Sequence, residues 1–409
     1  MAQIQPDRER AEILAAALDT AYGPVGGFGD MEIARAPGRV SLIGDHMEYN
    51  ESFTLPAAIE LDTWLAYRRR QDDRVRIVSR HSHEVGSFHI DALVPRLASG
   101  STRAGAPAPP LPWSDYVAGT AWSVREADIP THGFDGVIDT TLPIGAGLGS
   151  SAALELASAL AVVGRGRILS PASLAAIAQR GERDYMGLDA GIVDHLAGAA
   201  GRLDRAVLLD CRSLEYRHVT MPYGVRVVLC DTGERHDRRA AVYATRRAEC
   251  ARAVALLAER LPGLCSLRDL DQASLRRYRS TLPENVAARA EHVVAENARV
   301  LAAAAALDAG DLDELGRLFA ESHASMRDRF GVGSAALDAM IEVALAVPGV
   351  VAARMTGPGP GGYTVNLVLA DAVAALQAAV ARDYDTRTGL HGHAHAVGIV
   401  AGAGPVDVL

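Results

Sequence analysis

Apolar residues recur along this chain at two periods, and the changes between them mark out its elements. Between Arg8 and Tyr22, Ile13, Leu14, Ala17 and Leu18 keep helical spacing and predict a surface helix. Glu32 to Ala36 begins an extended segment, and Leu61 to Ser79 alternates well enough for two strands, with Arg68 to Arg70 as a solvated edge. Leu97 to Pro112, rich in Ala, Gly, Ser and Pro, predicts a mobile loop before a helix opened by Trp113 and Tyr116. Gly133 to Thr140 predicts a strand and Ala152 to Val163 a buried helix. A Pro171 helix start leads into a helix over Leu174 to Tyr185 that carries Glu182.

Farther along, Arg205 to Asp210 and Val225 to Asp231 predict strands, and Thr232 to Arg238 a polar turn. Val242 to Leu261, Pro283 to Arg299, Leu312 to Arg327 and Ala335 to Val347 predict helices. Val350 to Met355 and Tyr363 to Ala370 predict strands around a glycine-rich loop, Thr356 to Gly362. This alternation in the second half predicts an α+β layer. A change of domain falls near residues 215 to 225, dividing the chain into 1–220 and 221–409.

Composition narrows the function classes. A length of 409 residues suits roughly two to three domains. The chain is 49% hydrophobic and 22% charged, ordinary for a globular protein with a full core. A net charge of −9 argues against a nucleic-acid binder held by phosphate contacts. No long apolar run predicts a membrane span, and the polar Met1 to Arg10 segment has no secretory core, so a cytoplasmic protein is expected. The four cysteines include no CxxC pair, which favours reduced thiols. Lysine is absent: all 41 basic residues are arginine. That excludes a P-loop lysine, the strand lysine of protein kinases and a lysine Schiff base, so any phosphate-facing cation is Arg or a metal.

Candidate chemistry gathers at four places. Leu142 to Ala153 sets Gly145, Gly147 and Gly149 at alternate positions, with Leu148 between them and Ser150 and Ser151 after them. Such a loop feeding a helix N-terminus is an anion site, and phosphate is its natural guest. Ala36 to Asn50 crowds Arg39, Asp45, His46 and Glu48 around a glycine turn, which suits either a polyhydroxylated ligand or a solvated turn. Asp194, among Ile192, Val193, Leu196 and Ala197, is a carboxylate that must be paired, serve chemistry or cap a helix. His391, His393 and His395, with no carboxylate among them, predict a loop rather than a metal site. Trp113 and Tyr116 suit core packing or a wall for a nucleotide base.

Three ordered motifs carry a resemblance. Pro37-Gly38-Arg39 through Tyr49-Asn50 resembles the galactokinase sugar signature. Pro143 to Ala153 resembles the phosphate loop, and Arg354-Met355-Thr356-Gly357 through Gly362 the third motif of the superfamily that also holds homoserine and mevalonate kinases. Gly191 to Asp194, Asp210 to Glu215, Arg246 to Cys250 and Glu321 to His323 match as well, so the likeness spans nearly the whole chain.

The resemblance implies a two-domain α+β fold: an N-terminal mixed sheet with helices, a C-terminal ferredoxin-like layer, and an active site in the cleft. It implies ATP-dependent phosphorylation of a sugar's anomeric hydroxyl, giving a sugar 1-phosphate. Asp194 matches the catalytic aspartate and Arg39 the arginine beside it. Ser151 (or Ser150) and Glu182 match magnesium ligands. The first glycine loop, Gly145 to Ser151, matches the nucleotide-phosphate cradle, and Trp113 and Tyr116 fall where the family packs adenine. Asp45, His46, Glu48, Gly191 and Tyr243 match sugar-contacting positions. The implied partners are a small sugar and ATP, with no nucleic acid or membrane, in a monomer or weak dimer.

The signature departs from its usual Gly-Glu-His-Thr-Asp-Tyr-Asn-Gly: here it reads Gly44-Asp45-His46-Met47-Glu48-Tyr49-Asn50-Glu51. The two acids have exchanged lengths, and a hydrogen-bonding site discriminates strongly against misplaced polar groups. The expectation from this exchange is a preferred sugar other than galactose: a galactose-like sugar altered at C3 or C4, or a higher-carbon sugar extended beyond C6. The alternatives are an ordinary galactokinase and a non-catalytic sugar and ATP sensor. Pro358 and Pro360 replace the usual Ala and Phe of the third motif and remove two N–H donors.

Overall fold

The computed structural model describes residues 4–24, 31–96, 112–235 and 239–407. The loop expected over Leu97 to Pro112 lies almost wholly outside them, as does the end of the turn expected over Thr232 to Arg238. In chain order the strands are β1 (Glu32–Ile43), β2 (Phe53–Arg69), β3 (Arg74–Ser79), β4 (Val85–His89), β5 (Phe134–Thr140), β6 (Arg205–Asp210), β7 (Tyr216–Thr220), β8 (Val225–Asp231), β9 (Val350–Thr356), β10 (Tyr363–Leu369), β11 (His393–Val397) and β12 (Gly404–Pro405).

The chain forms two compact units. The first comprises 1–39, 60–201 and 401–409, and the second 40–59 and 202–400. This is not the single cut near residue 220 that the sequence suggests. β1 and β2 are long, continuous strands, and each leaves one unit for the other partway along. Local composition does not register such a handover, because a strand's hydrogen bonds are made with distant segments.

In the first unit the strand order is β12–β1–β2–β5–β3–β4. β3 runs parallel to β5, and β5 antiparallel to β2, so the sheet is mixed. Helix Ile4–Tyr22 lays Leu14 and Leu18 against Ile33, Trp64 and Val137 of the sheet, as its helical spacing predicts. Helix Ser150–Val163 buries Ala152, Leu156 and Ala159, and a further helix spans Val193–Ala200. Where the sequence predicts one helix over Leu174 to Tyr185, the α-helix Pro171–Arg180 gives way to a π-turn over Gly181–Tyr185.

The second unit holds a four-stranded antiparallel sheet, β11–β8–β10–β9. Helices Ala335–Leu345 and Val373–Ala379 cover it through Met340, Ile341 and Leu376, the α+β layer that the alternating elements predict. A second core in this unit, with Met47, Leu257, Val286, Phe330 and Met355, is built on helices Arg239–Ala258 and Glu284–Ala309. β6 pairs with Phe53 and Thr54 at the start of β2, and with β7. The histidine run near the end is a strand, not the expected loop: His393 pairs with Asp231 and His395 with Leu229. Alternation of His with small residues was its strand signal. β4, β7 and helix Gln272–Tyr278 went unseen in the sequence, being short and mostly exposed.

Candidate active site

The first unit carries the phosphate-loop cluster. Gly145, Gly147 and Gly149 all have left-handed backbones, with φ of 72°, 81° and 79°. Alternating left-handed glycines between ordinary residues turn successive N–H groups toward one concave side, an anion nest. Gly149 caps helix Ser150–Val163, so the loop ends at the positive end of a helix dipole. Ser150 and Ser151 occupy the first helical turn, both half-buried. Leu148 is buried, and its carbonyl accepts the backbone N–H of Arg39 at 2.9 Å.

This backbone bond seats Arg39 beneath the loop. Its Nε donates to Asp194 Oδ1 at 2.6 Å and its Nη2 to Oδ2 at 2.5 Å, while Nη1 donates to the Gly147 carbonyl. Arg39 therefore joins the glycine loop to Asp194. Asp194 lies in the first turn of helix Val193–Ala200 with its side chain 33% exposed. It is paired, and of the alternatives open from sequence the helix cap is not the one adopted. Gly191, exposed, begins the turn leading into that helix.

Glu182 sits in the π-turn, 12% exposed. The turn is set by close backbone contact: a Cβ on Gly181 would lie 2.7 Å from the Thr120 nitrogen, and one on Gly119 would lie 2.8 Å from the Gly181 oxygen. Only two glycines let helix Ser114–Glu126 approach this closely. Burial, then the charges of Glu155 and Asp194, push the Glu182 carboxyl up to about 8, with His195 opposing them. Burial pushes the Tyr116 hydroxyl up to about 12, with the charges of Glu182 and Glu155 adding to it. Tyr116 and Trp113 are half-buried rather than core residues.

Two members of this cluster escaped the sequence reading. Glu155, wholly buried, has Oε2 2.6 Å from His195 Nε2, and that nitrogen is 3.7 Å from Glu182 Oε2. His195 Nδ1 lies 3.3 Å from the Gly191 carbonyl, to which it donates. Burial raises Glu155 well above the usual carboxylate range, with the charge of Asp194 adding to it, and burial lowers His195. Among the described residues, Glu155, Glu182 and His195 are the one group of three potential metal-ligating side chains whose ligand atoms lie within 4.8 Å of each other. The signal for Glu155 was present: a lone acid in an apolar helix, one turn beyond Ser151.

The second unit carries the sugar-signature cluster. It is not the solvated turn that the residue types alone allow. Asp45 and His46 are buried; Glu48 and Tyr243 are half-buried. Asp45 Oδ2 accepts from Arg354 Nη1 at 2.7 Å, and Oδ1 from the Gly357 N–H at 2.7 Å. His46, at φ 63°, donates from Nε2 to the Pro358 carbonyl at 3.1 Å and accepts at Nδ1 from the Tyr49 hydroxyl at 2.9 Å. Its ring packs 5.0 Å from Phe330 and 5.2 Å from Tyr243, and burial lowers its pKa to about 4. The Tyr243 hydroxyl donates to Glu48.

Comparison with known proteins places these clusters. Residues 26–69 match the galactokinase galactose-binding signature, 115–202 the N-terminal domain of GHMP kinases and 303–385 their C-terminal domain. A protein of Chloroflexus aggregans named galactokinase is 42% identical over 358 residues, 87% of this chain and 89% of that protein. The chain belongs to the galactokinase family. A crystal structure of Lactococcus lactis galactokinase complexed with galactose matches at a TM-score of 0.86 and 29% identity, covering 97% of this chain and 100% of that one. Methanococcus jannaschii mevalonate kinase, at 16% identity and a TM-score of 0.64 over 91% of this chain and 99% of that one, shares the fold. The two-domain GHMP kinase architecture implied by the three motifs is the one observed. As a member of the galactokinase family, the chain is an ATP-dependent sugar kinase.

Proposed function

We propose that this kinase transfers the γ-phosphoryl group of ATP to the anomeric hydroxyl of galactose. What supports galactose is the galactokinase name borne by a relative 42% identical over nearly the whole chain, together with the galactose-bound neighbour. The exchanged acids of the signature point to a different sugar only if both carboxylates are free to meet it. Asp45 is not: it is buried, and each of its oxygens accepts a hydrogen bond from within the protein. The sensor alternative gives way to the enzyme, since Arg39, Ser151, Glu182 and Asp194 are all in place.

The division of labour follows the clusters. In the second unit Glu48 and Tyr243, half-buried and hydrogen-bonded to each other, are proposed to contact sugar hydroxyls, with Asp45 and His46 behind them. In the first unit Gly191 is a further sugar-contacting position, and Asp194 takes the proton of the anomeric hydroxyl as its oxygen attacks the phosphoryl group. Arg39 aligns that carboxylate and offsets charge on the transferred group. The glycine loop, Gly145 to Ser151, holds the nucleotide phosphates, and Trp113 and Tyr116 flank the base.

A magnesium ion fits the donor set. Ser151 and Glu182 are hard oxygen ligands, and burial together with the charges of Glu155 and Asp194 raises the Glu182 carboxyl, a penalty that a bound cation would relieve. When bound by Ser151 and Glu182, such an ion supplies charge neutralisation on the phosphates. No helix among the described residues is long and apolar enough to cross a membrane. The four unbridged cysteines support a cytoplasmic setting.

The test is a kinase assay with ATP across a panel of aldoses, with the product's phosphate located by NMR. Galactose is expected to give the highest kcat/KM and a phosphate on C1. Another sugar as the better substrate would defeat the galactose reading; a phosphate elsewhere would defeat the anomeric one.

A further inference from the structure

The glycine-rich loop after β9 is stitched to the sugar signature by side chains that the reaction does not use. Arg354, on β9, is wholly buried. Its Nη1 donates to the Leu42 carbonyl at 3.1 Å and to Asp45 Oδ2 at 2.7 Å, while its Nε and Nη2 have no partner among the described residues. Two residues on, the Thr356 hydroxyl donates to the Ser41 carbonyl at 2.8 Å. The Gly357 N–H donates to Asp45 Oδ1, and the Pro358 carbonyl accepts from His46. Residues 354–358 thus grip 41–46 through both backbone and side chains.

A guanidinium removed from water must be matched by an acceptor of opposite charge. Here that acceptor is Asp45, whose side chain is 5% exposed. A carboxylate this buried, with each oxygen already accepting a hydrogen bond from inside the protein, presents little surface to a ligand hydroxyl. The segment it anchors leads, within three residues, to Glu48, which Tyr243 holds.

We propose that Asp45 is an internal anchor rather than a sugar ligand, and that Arg354 and the β9 loop are positioning elements which set the signature's contact with sugar through Glu48. In this arrangement the shorter acid is the one withdrawn into the protein, and the longer acid, Glu48, is the signature's carboxylate for the sugar. The third glycine motif then frames sugar recognition, and its two prolines remove N–H donors that this role does not need. The inference rests on the reading of Glu48 and Tyr243 as sugar-contacting groups.

A double-mutant cycle on Asp45→Asn, Arg354→Met and the pair together tests it, with two readouts: melting temperature without ligand, and KM for the wild type's best sugar. Each single change leaves a buried partner uncompensated, so each is expected to lower the melting temperature and raise sugar KM about tenfold or more, with KM for ATP little changed. Removing both partners is expected to recover most of both losses. Asp45→Asn with wild-type melting but a raised sugar KM would overturn the proposal, as would a double variant whose sugar KM stays as high as that of the worse single. Thr356→Val, which deletes only the hydroxyl bond to Ser41, covers the case in which the single variants do not fold. It is expected to raise sugar KM about two- to fivefold, and an unchanged value would overturn the framing role. The melting cycle needs no sugar, so a wild type inactive on galactose would defeat the substrate reading while leaving the anchor itself measurable.

Discussion

Arg39 and Asp194, 155 positions apart in sequence, meet as a two-point ion pair at 2.6 and 2.5 Å, and the same guanidinium reaches the Gly147 carbonyl of the phosphate loop. One side chain therefore sets the spacing between the proposed proton acceptor and the proposed phosphate cradle. Asp194→Asn keeps the shape and loses the carboxylate proposed as the base, and is expected to reduce kcat by about 100-fold or more. Arg39→Lys keeps a charge but not the planar fork, and should also reduce kcat substantially with a smaller change in KM for the sugar. Steady-state kinetics on both variants measure this, and near-normal turnover in Asp194→Asn would remove that residue from the mechanism.

The packing of Gly119 against Gly181 carries Glu182 in its π-turn. Adding a methyl group at 181 would bring a carbon within 2.7 Å of backbone atoms. Gly181→Ala should cost about 1–3 kcal/mol of stability. Because the displaced element bears the proposed magnesium ligand, the magnesium concentration for half-maximal rate should rise too. Chemical denaturation and a magnesium titration of the rate measure the two effects, and a destabilised variant with an unchanged magnesium requirement would detach the turn from metal binding.

Tyr243 donates its hydroxyl to Glu48. Tyr243→Phe removes that donor with little change of shape. The expected result is an increase of about tenfold in KM for the sugar with KM for ATP unaffected, because a site built on hydrogen bonds suffers when one buried partner is lost. Equal shifts in both constants would mean a general structural defect.

Acid should weaken the second unit through His46. Burial lowers this imidazole from 6.5 to about 4, so the folded protein resists a proton that the unfolded chain accepts. The stability it contributes is full above pH 6.5 and falls away as pH drops from 6.5 through 4. His292, lowered by burial to about 3, extends the loss further into acid. Thermal melts of wild type and His46→Gln across this range should show a shallower acid slope in the variant. Parallel slopes would mean that His46 does not titrate in this way.

Much of the fold was legible because its signals are local. Helical spacing marked Ile4–Tyr22 and Ala335–Leu345, and alternation marked β2 and β3. Three glycines at alternate positions foretold a loop of left-handed turns at a helix start, and each has that backbone. The π-turn at Glu182 was not legible, since it depends on the backbone of a helix some sixty residues earlier. Nor was the division of β1 and β2 between two units, which depends on partners far along the chain.

The sequence by itself determined the chemistry on offer. It placed Arg39, Asp194, Glu182 and the serines of the phosphate loop in ordered motifs, and by carrying no lysine it left arginine or a metal to face phosphate. These are properties of residue type and short spacing, which need no folded context. Only the tertiary structure decided which charges meet. It paired Arg39 with Asp194, set Glu155 against His195, and filled Asp45 from Arg354 and Gly357. Asp45 shows the reason most directly: its exchange with Glu48 reads as a change of ligand contact, yet its partner lies 309 positions away. A buried carboxylate answers to whatever packing brings within hydrogen-bonding distance, and not to its neighbours in the chain.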